Sequence, residues 1–189
     1  MRDIFFRPVN KVLSRYIVQF KGLNIGKHIF RFDVDNAFFE QFEGSEISKG
    51  DLNVSVVINK HSTMLEIDFD IDGDVEVLCD RCLDPFTIPT SYEGKLFVRI
   101  SDSIPQDETF DDIWYVNSNE HEINLSQYIY ESICLSLPIK RFHGILNTSE
   151  AECDRTMLEK LNQLSASEKK EIKNNGVDQR WDKLRNFQE

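Results

Sequence analysis

The run from Leu65 to Val77 constrains the fold most tightly, because apolar and acidic residues alternate along nearly its whole length. One parity carries apolar side chains: Leu65, Ile67, Phe69, Ile71, Val75 and Val77. The other parity carries six carboxylates: Glu66, Asp68, Asp70, Asp72, Asp74 and Glu76. Alternation with a period of two is typical of a strand that buries one face and exposes the other. We therefore predict a long β-strand here.

Gly73 interrupts the apolar parity of this run and allows a second interpretation. Asp-Gly is a common pair at two-residue hairpin turns, so Asp72 and Gly73 could reverse the chain. The alternation nevertheless keeps its phase across Gly73, which favours a single strand with a bend at the glycine. In either interpretation the chain reaches Cys79 on the apolar parity, so this thiol is expected to face inward.

The alternation extends, less regularly, over the first hundred residues and predicts further strands. The apolar positions of these strands are Phe30, Phe32, Val34, Leu52, Val54, Val56, Ile58, Leu96, Val98 and Ile100. Between the first two groups, residues 35–42 predict a short helix with Asp35 as its N-cap. Residues 101–122 are acidic and predict a loop that contains one short strand at 113–116.

The second half of the chain changes to helical spacing. Asn124 followed by Gln127 is typical of a capping box, and the apolar residues after it predict a helix that ends at Pro138. Composition predicts two more helices, over residues 154–173 and 178–187.

Strands followed by helices indicate an α+β fold, with an N-terminal antiparallel, partly barrel-like β-sheet followed by a C-terminal helical segment. The length of 189 residues indicates a single domain over 1–189. Within it, residues 1–122 are expected to be mainly β and residues 123–189 mainly helical.

The charge distribution separates the N-terminal segment from the rest. Residues 1–32 carry seven basic side chains and one acidic side chain, a balance of +6, so the other 157 residues carry −17 of the total of −11. A chain this acidic is a poor general nucleic-acid binder, because phosphate contacts require a cationic surface. Any RNA contact is therefore expected at the basic segment, where we select Arg2, Arg7 and Arg15.

The six carboxylates of the alternating run admit three interpretations. Calcium binding is disfavoured, because same-face residues on a strand lie about 6.6 Å apart and cannot converge on one ion at about 2.4 Å. A solvated face is the simplest interpretation. The alternative is a docking surface for a basic partner, such as a ribosomal protein.

Cys79 and Cys82 form a Cys-x2-Cys pair, which supplies half of a tetrahedral zinc site. His143 and Cys153 lie in one irregular segment and complete a set of four candidate ligands. Three interpretations stay open: a structural zinc that clips the strand turn to the later segment, a metal-free turn, and a redox pair. The redox pair is less favoured, because reactive dithiols usually lie at a helix N-terminus, whereas this pair leads through Pro85 into a strand.

Two absences bear on the class of protein. No apolar run is long enough to span a membrane and the start does not resemble a signal peptide, so we expect a cytoplasmic protein. The chain also lacks a phosphate-binding glycine-rich loop, an H-E-x-x-H motif and a G-x-S-x-G motif. We therefore expect a protein that is not an enzyme and has no small-molecule substrate.

Several short motifs follow one another in a distinctive order. They are Cys79-Asp80-Arg81-Cys82 with Pro85-Phe86, then Ile123-Asn124-Leu125, the run from Glu131 to Pro138, His143, Cys153, and Trp181-Asp182-Lys183-Leu184. In this order they resemble the YceD family, the large ribosomal RNA subunit accumulation proteins. The resemblance covers roughly residues 50–187.

The resemblance implies a cytoplasmic bacterial protein that takes part in accumulating or processing the precursor of large-subunit ribosomal RNA. It supplies no catalytic residue. We therefore expect a non-enzymatic ribosome-biogenesis factor that binds the RNA precursor, an associated basic ribosomal protein, or both. The alternative is a thiol redox protein or sensor that uses Cys79 and Cys82.

Overall fold

The computed structural model describes residues 11–102, 113–145 and 153–165. The strands among them are β1 (Ile17–Val18), β2 (Gly26–Val34), β3 (Ile47–Lys60), β4 (Met64–Leu78), β5 (Pro85–Ile100), β6 (Ile113–Val116) and β7 (Ile123–Asn124). The α-helices are α1 (Asn36–Phe39), α2 (Ser126–Ser136) and α3 (Arg155–Leu164). Two short 3-10 helices, Leu13–Tyr16 and Phe20–Gly22, flank β1.

Five strands form one open sheet in the order β2-β3-β4-β5-β6. The strands from β2 to β5 are antiparallel neighbours, and β6 joins β5 in parallel. The central strand β4 pairs with β5 along its whole length, from Met64 opposite Arg99 to Leu78 opposite Pro85. β1 and β7 form a separate two-stranded ladder. The predicted α+β class is confirmed, although the sheet does not close into a barrel.

The core lies on the inner face of the sheet. Its buried strand residues include Val34, Leu52, Val54, Val56, Ile58, Leu65, Ile67, Phe69, Ile71, Val75, Val77, Leu96 and Val98. α2 packs against this face, where the ring of Tyr128 lies 4.4 Å from that of Phe69. Near α1, the ring of Tyr16 lies 4.8 Å from that of Phe38. The alternate side chains of the same strands form an outer face that is open to solvent.

The aromatic residues predicted on β2 are less buried than expected. Phe30 and Phe32 are only half-buried. The reason is that β2 is an edge strand, so its inward side chains have a neighbouring strand on one side only. The short helix after β2 is confirmed as α1, and the carboxylate of its predicted cap Asp35 accepts a hydrogen bond from the backbone N–H of Phe38.

The structure decides how far the two long strands β4 and β5 extend. β4 continues through Gly73 as one strand, which confirms the predicted bend and excludes the hairpin. β5 begins at Pro85, well before the apolar positions Leu96, Val98 and Ile100 that predicted it. The sequence did not reveal the first part of the strand, because Pro89 and Gly94 are residue types that are depleted in strands. Pro89 is accommodated where β5 has a partner on one side only, since β6 pairs with residues 97–100 alone.

The predicted capping box of α2 is wrong. Asn124 belongs to β7, opposite Ile17, and the helix begins two residues later at Ser126. The Asn124 side chain accepts a hydrogen bond from the backbone N–H of Ser126 at 2.9 Å. Gln127 does not reach back to the cap, because its Nε2 donates to Oε1 of Glu131 at 2.6 Å. Strand pairing therefore decides where this helix begins.

The chain divides into two compact units, Met1–Cys153 and Asp154–Glu189. The second contains α3, whose N-cap Asp154 accepts a hydrogen bond from the backbone N–H of Thr156 at 2.8 Å. The helix predicted over 154–173 is present to Leu164, and the helix predicted over 178–187 lies outside the described residues. The single-domain organisation stays a prediction. No helix among the described residues is long and apolar enough to cross a membrane.

Gly73→Ala should destabilise the sheet. Gly73 has φ +155°, and a Cβ there would collide with the backbone of Asp51 and Leu52 on the neighbouring strand. We expect a loss of about 2 kcal/mol or more in the free energy of unfolding, measured by urea titration. Gly22→Ala is the control, because a Cβ at Gly22 meets no atom within 4 Å. Equal stability of the two variants would contradict this account of the bend.

Candidate metal centre

A tight turn between β4 and β5 positions the first two candidate ligands. The backbone N–H of Cys79 donates to the carbonyl of Asp84 at 3.0 Å, and the N–H of Leu83 donates to the carbonyl of Cys79 at 2.9 Å. Leu83 has φ +66°, the left-handed conformation that closes the turn. The N–H of Arg81 also points at Sγ of Cys79, at 3.4 Å. The turn therefore directs the Cys79 and Cys82 thiols to its inner side.

Reciprocal hydrogen bonds connect this turn to the segment that follows α2. The backbone N–H of Asp80 donates to the carbonyl of Arg141, and the N–H of Arg141 donates to Oδ2 of Asp80, both at 2.6 Å. The Arg81 guanidinium lies 4.0 Å from the ring centroid of Phe142, a cation–π contact. These contacts bring the neighbouring residue, His143, beside the turn.

The four predicted ligands converge although they are distant in sequence. Sγ of Cys82 lies 3.5 Å from Nδ1 of His143, and Sγ of Cys79 lies 4.0 Å from Sγ of Cys153. All four ligand atoms lie within 4.8 Å of one another. The sulfurs of Cys79 and Cys153 are too far apart for a disulfide bond, whose S–S length is about 2.0 Å. We call these four residues the Cys3His cluster.

The distances in the Cys3His cluster fit a tetrahedral divalent metal. Bond lengths of about 2.3 Å for Zn–S and about 2.05 Å for Zn–N place two sulfurs about 3.8 Å apart and a sulfur and a nitrogen about 3.6 Å apart. The observed separations of 4.0 Å and 3.5 Å are close to these values. Four protein ligands leave no open position for a substrate, so the arrangement is that of a structural site rather than a catalytic one.

Burial gives the Cys3His cluster unusual electrostatics. All four residues are buried. Burial acts to raise the pKa of Cys79, but hydrogen bonds from backbone N–H groups, that of Cys82 first, outweigh it and lower the pKa to about 6. Burial and the neighbouring thiols raise the pKa of Cys153 to about 12. Several thiolates cannot therefore coexist here without a cation, and a bound divalent metal would supply that charge.

Cys134 and His28 lie apart from the Cys3His cluster. Cys134 is half-buried on α2, and burial raises the pKa of its thiol. The Nε2 atom of His28 lies 2.8 Å from the carbonyl oxygen of Asn24.

The basic residues selected for RNA contact do not join the Cys3His cluster. Arg15 is exposed on the first 3-10 helix, where its guanidinium lies 3.6 Å from the carboxylate of Asp35. It lines an open cleft together with Arg31, Phe32, Asp33 and Asp35. Arg2 and Arg7 lie outside the described residues.

The register of the sheet adds carboxylates that the sequence pattern did not place. Asp51 on β3 lies opposite Asp74, and Glu93 on β5 lies opposite Asp70. Three outward carboxylates of β4 have a basic side chain nearby: Glu76 pairs with Lys49, Asp68 pairs with Lys95, and Oε1 of Glu66 lies 3.6 Å from Nε2 of His61. The remaining five carboxylates, on three neighbouring strands, are exposed and form no ion pair with any described residue. We call Asp51, Asp70, Asp72, Asp74 and Glu93 the acidic patch.

Strand alternation predicted the outward carboxylates of β4, but it could not find Asp51 and Glu93. Those two side chains join the acidic patch only through the pairing of β3 and β5 with β4. The sequence does contain a signal for them. In antiparallel strands the register is counted from the connecting turn, so an acidic residue on β3 or β5 that is as many residues from the turn as an acidic residue of β4 should lie opposite it.

Comparison with known proteins identifies the family. Residues 67–188 match the family model described as "Large ribosomal RNA subunit accumulation protein YceD". The matched segment contains all four residues of the Cys3His cluster. No curated protein and no solved structure matches the chain. Because the match extends over more than half of the chain and agrees with the motifs noted above, the protein belongs to the YceD family.

Proposed function

We propose that this protein is a cytoplasmic, non-catalytic factor in the accumulation or processing of large-subunit ribosomal RNA, and that its acidic patch docks a basic ribosomal protein. The family description supplies the link to the large subunit. The observation that carries the docking proposal is the acidic patch itself. Its five exposed carboxylates lie on three neighbouring strands, two pairs of them directly opposite each other, and form no ion pair with any described residue.

The acidic patch is costly to the free protein. Like charges placed directly opposite on neighbouring strands destabilise a sheet by about 0.2–1 kcal/mol per pair. Asp51 with Asp74 and Asp70 with Glu93 are two such pairs. Lysine or arginine side chains of a partner would remove this repulsion on binding, and the negative field would also steer a basic protein to the face.

The same charge argues against RNA as the ligand of this face, because phosphates would be repelled by it. Any direct contact with the RNA precursor is assigned instead to the basic segment, with Arg2, Arg7 and Arg15 as its predicted residues. Of these, Arg15 is exposed and only loosely paired, so its charge is available to a phosphate.

Removing charge from the acidic patch should release the protein from large-subunit precursors. The variant carries Asp70→Asn, Asp72→Asn and Asp74→Asn. We expect the fraction of protein that co-sediments with precursors on low-salt sucrose gradients to fall about tenfold, because the attraction to the basic partner is lost. The variant should unfold at no lower temperature than the wild type, since repulsion between neighbouring carboxylates decreases.

The matched control carries Glu40→Gln, Glu43→Gln and Glu120→Gln. These substitutions also remove three negative charges, but the three exposed carboxylates lie off the outer face of the sheet. They should leave co-sedimentation unchanged. An equal loss of co-sedimentation in both triple variants would show that only net charge matters. A wild-type protein found solely in the free-protein fractions would refute the assembly role.

We also propose that the Cys3His cluster holds a structural zinc ion. Three thiols and an imidazole are the ligand types that zinc prefers, and their separations fit a tetrahedron. The ion would clip the turn after β4 to the segment after α2 and to Cys153. The redox alternative is less well supported, because a reactive dithiol must be accessible and Cys79 and Cys82 are both buried.

Loss of one ligand should remove the metal and lower stability. We expect the wild type to contain one equivalent of zinc by elemental analysis and Cys153→Ser to contain almost none. A free zinc concentration of about 1,000 times the dissociation constant adds about 4 kcal/mol to the free energy of unfolding. Loss of this contribution should lower the Tm of the variant by about 8–16 °C. The measurement is thermal unfolding monitored by circular dichroism.

Cys134→Ser is the matched control, because it removes the one cysteine that is not in the Cys3His cluster. It should keep the full zinc content. A zinc-free wild type whose Cys79 thiol reacts rapidly with alkylating reagents at neutral pH would favour the redox alternative instead.

A further inference from the structure

One edge of the five-stranded sheet is long and open. β2 is the outermost strand, nine residues from Gly26 to Val34, and within the sheet it pairs with β3 alone. Because alternate residues of an edge strand direct their N–H and C=O groups away from the sheet, this edge presents a row of unpaired donors and acceptors. Outside the ladder with β3, the backbone of β2 makes one hydrogen bond with a described residue, from the hydroxyl of Tyr16 to the carbonyl of Asp33 at 2.9 Å.

The side chains of β2 also lack a neighbour on the open side. Ile29 on the outer face is 61% exposed, and Phe30 and Phe32 on the inner face are only half-buried. The strand at the opposite edge, β6, is four residues long, and a short edge strand is one means by which proteins prevent unwanted strand pairing. β2 does not have that protection, so its open side can accept a further strand.

We propose that β2 pairs antiparallel with β2 of a second copy of this chain, about a two-fold axis that passes through Phe30 perpendicular to the sheet. The pairing joins the two sheets into one, with the same surface contributed by both copies. Because of the direction of the axis, both acidic patches lie on the same side of the dimer. This interface does not depend on the docking function or on the metal ion proposed above.

The charges of β2 select the partner and the register. With the axis at Phe30, Gly26 lies opposite Val34 of the second copy, so all nine residues pair. On the outer face Lys27 then lies opposite Asp33 of the second copy, and the symmetry repeats this pair of opposite charges, which stabilises paired strands.

The neighbouring registers are disfavoured by the same charges. A shift by one residue would turn the inner side chains of one copy to the outer face, so the nearest alternatives are shifts by two residues. One of them places Lys27 opposite Arg31 of the second copy, and the other places Arg31 opposite Arg31. Like charges directly opposite destabilise a sheet, so the central register is preferred.

The central register also covers the exposed apolar side chains. Ile29 lies opposite Arg31 of the second copy, whose aliphatic stem packs against it. On the inner face Phe30 meets its own copy and Phe32 meets His28. Aromatic pairs directly opposite on neighbouring strands stabilise the pairing. A second copy therefore supplies the neighbours that these half-buried side chains lack.

Charge reversal in the full-length protein tests this interface. Sedimentation velocity over a series of concentrations should show that the wild type dimerises. Lys27→Asp alone and Asp33→Lys alone should each raise the dissociation constant of the dimer at least about tenfold, because two attractive pairs become repulsive. The double variant should restore the dimer, since opposite charges face each other again. In the monomer both positions lie opposite asparagines of β3, Asn59 and Asn53, so neither reversal creates a like-charge pair there.

Lys140→Asp is the matched control for the change in net charge. Lys140 is an exposed lysine that follows α2 and does not belong to the sheet. This variant should dimerise as the wild type does.

A cysteine at the axis tests the register independently of charge. In Phe30→Cys the two new cysteines lie opposite each other, with Cα atoms about 4.5–5.5 Å apart, which suits a disulfide bond. In Phe32→Cys they lie four residues apart along the strand, about 13 Å, which is too far. Mild oxidation should therefore cross-link Phe30→Cys and leave Phe32→Cys at the background of the wild type, which has four cysteines of its own.

The possible results decide the proposal in either direction. Loss of the dimer in each single reversal, its return in the double variant and cross-linking specific to Phe30→Cys would support it. A wild type that stays monomeric at every concentration, or a dimer that both single reversals leave intact, would overturn it. Equal cross-linking of Phe30→Cys and Phe32→Cys would overturn the register.

Discussion

The pairing of β4 with both of its neighbours is the interaction on which the rest of the structure depends. Every residue of β4 has a partner on β5, and most have one on β3. This ladder directs one set of side chains into the core and the other into solvent, so the same strand builds the hydrophobic interior and the acidic patch. Gly73 is essential to the ladder, because no side chain fits against the backbone of β3 at the bend.

The Cys3His cluster depends on the same strand. β4 ends at Leu78, which places Cys79 and Cys82 in the turn that follows it. The hydrogen bonds between Asp80 and Arg141 then hold the later segment against this turn, more than fifty residues away in sequence. Ordering so long a loop costs conformational entropy, and a metal ion that joins its two ends would offset that cost in the folded state.

The accuracy of sequence-based prediction differed from element to element for physical reasons. β4 was predicted well because it is buried on one face only, so the alternation of apolar and acidic residues identifies both the strand and its buried face. β5 was underestimated because Pro89 and Gly94 suit a strand only where neighbouring strands and the ring of Tyr92 accommodate them. The start of α2 was misplaced because Asn124 pairs with β1, a contact that no local capping motif reveals.

The sequence by itself determined the α+β class, the inward direction of Cys79, the outward carboxylates of β4 and the family, because each depends on short-range periodicity or on motif order. Only the tertiary structure decided that four ligands lie within 4.8 Å of one another and that Asp51 and Glu93 join the acidic patch. Those features arise from strand register and loop closure, which unite residues that no local pattern connects.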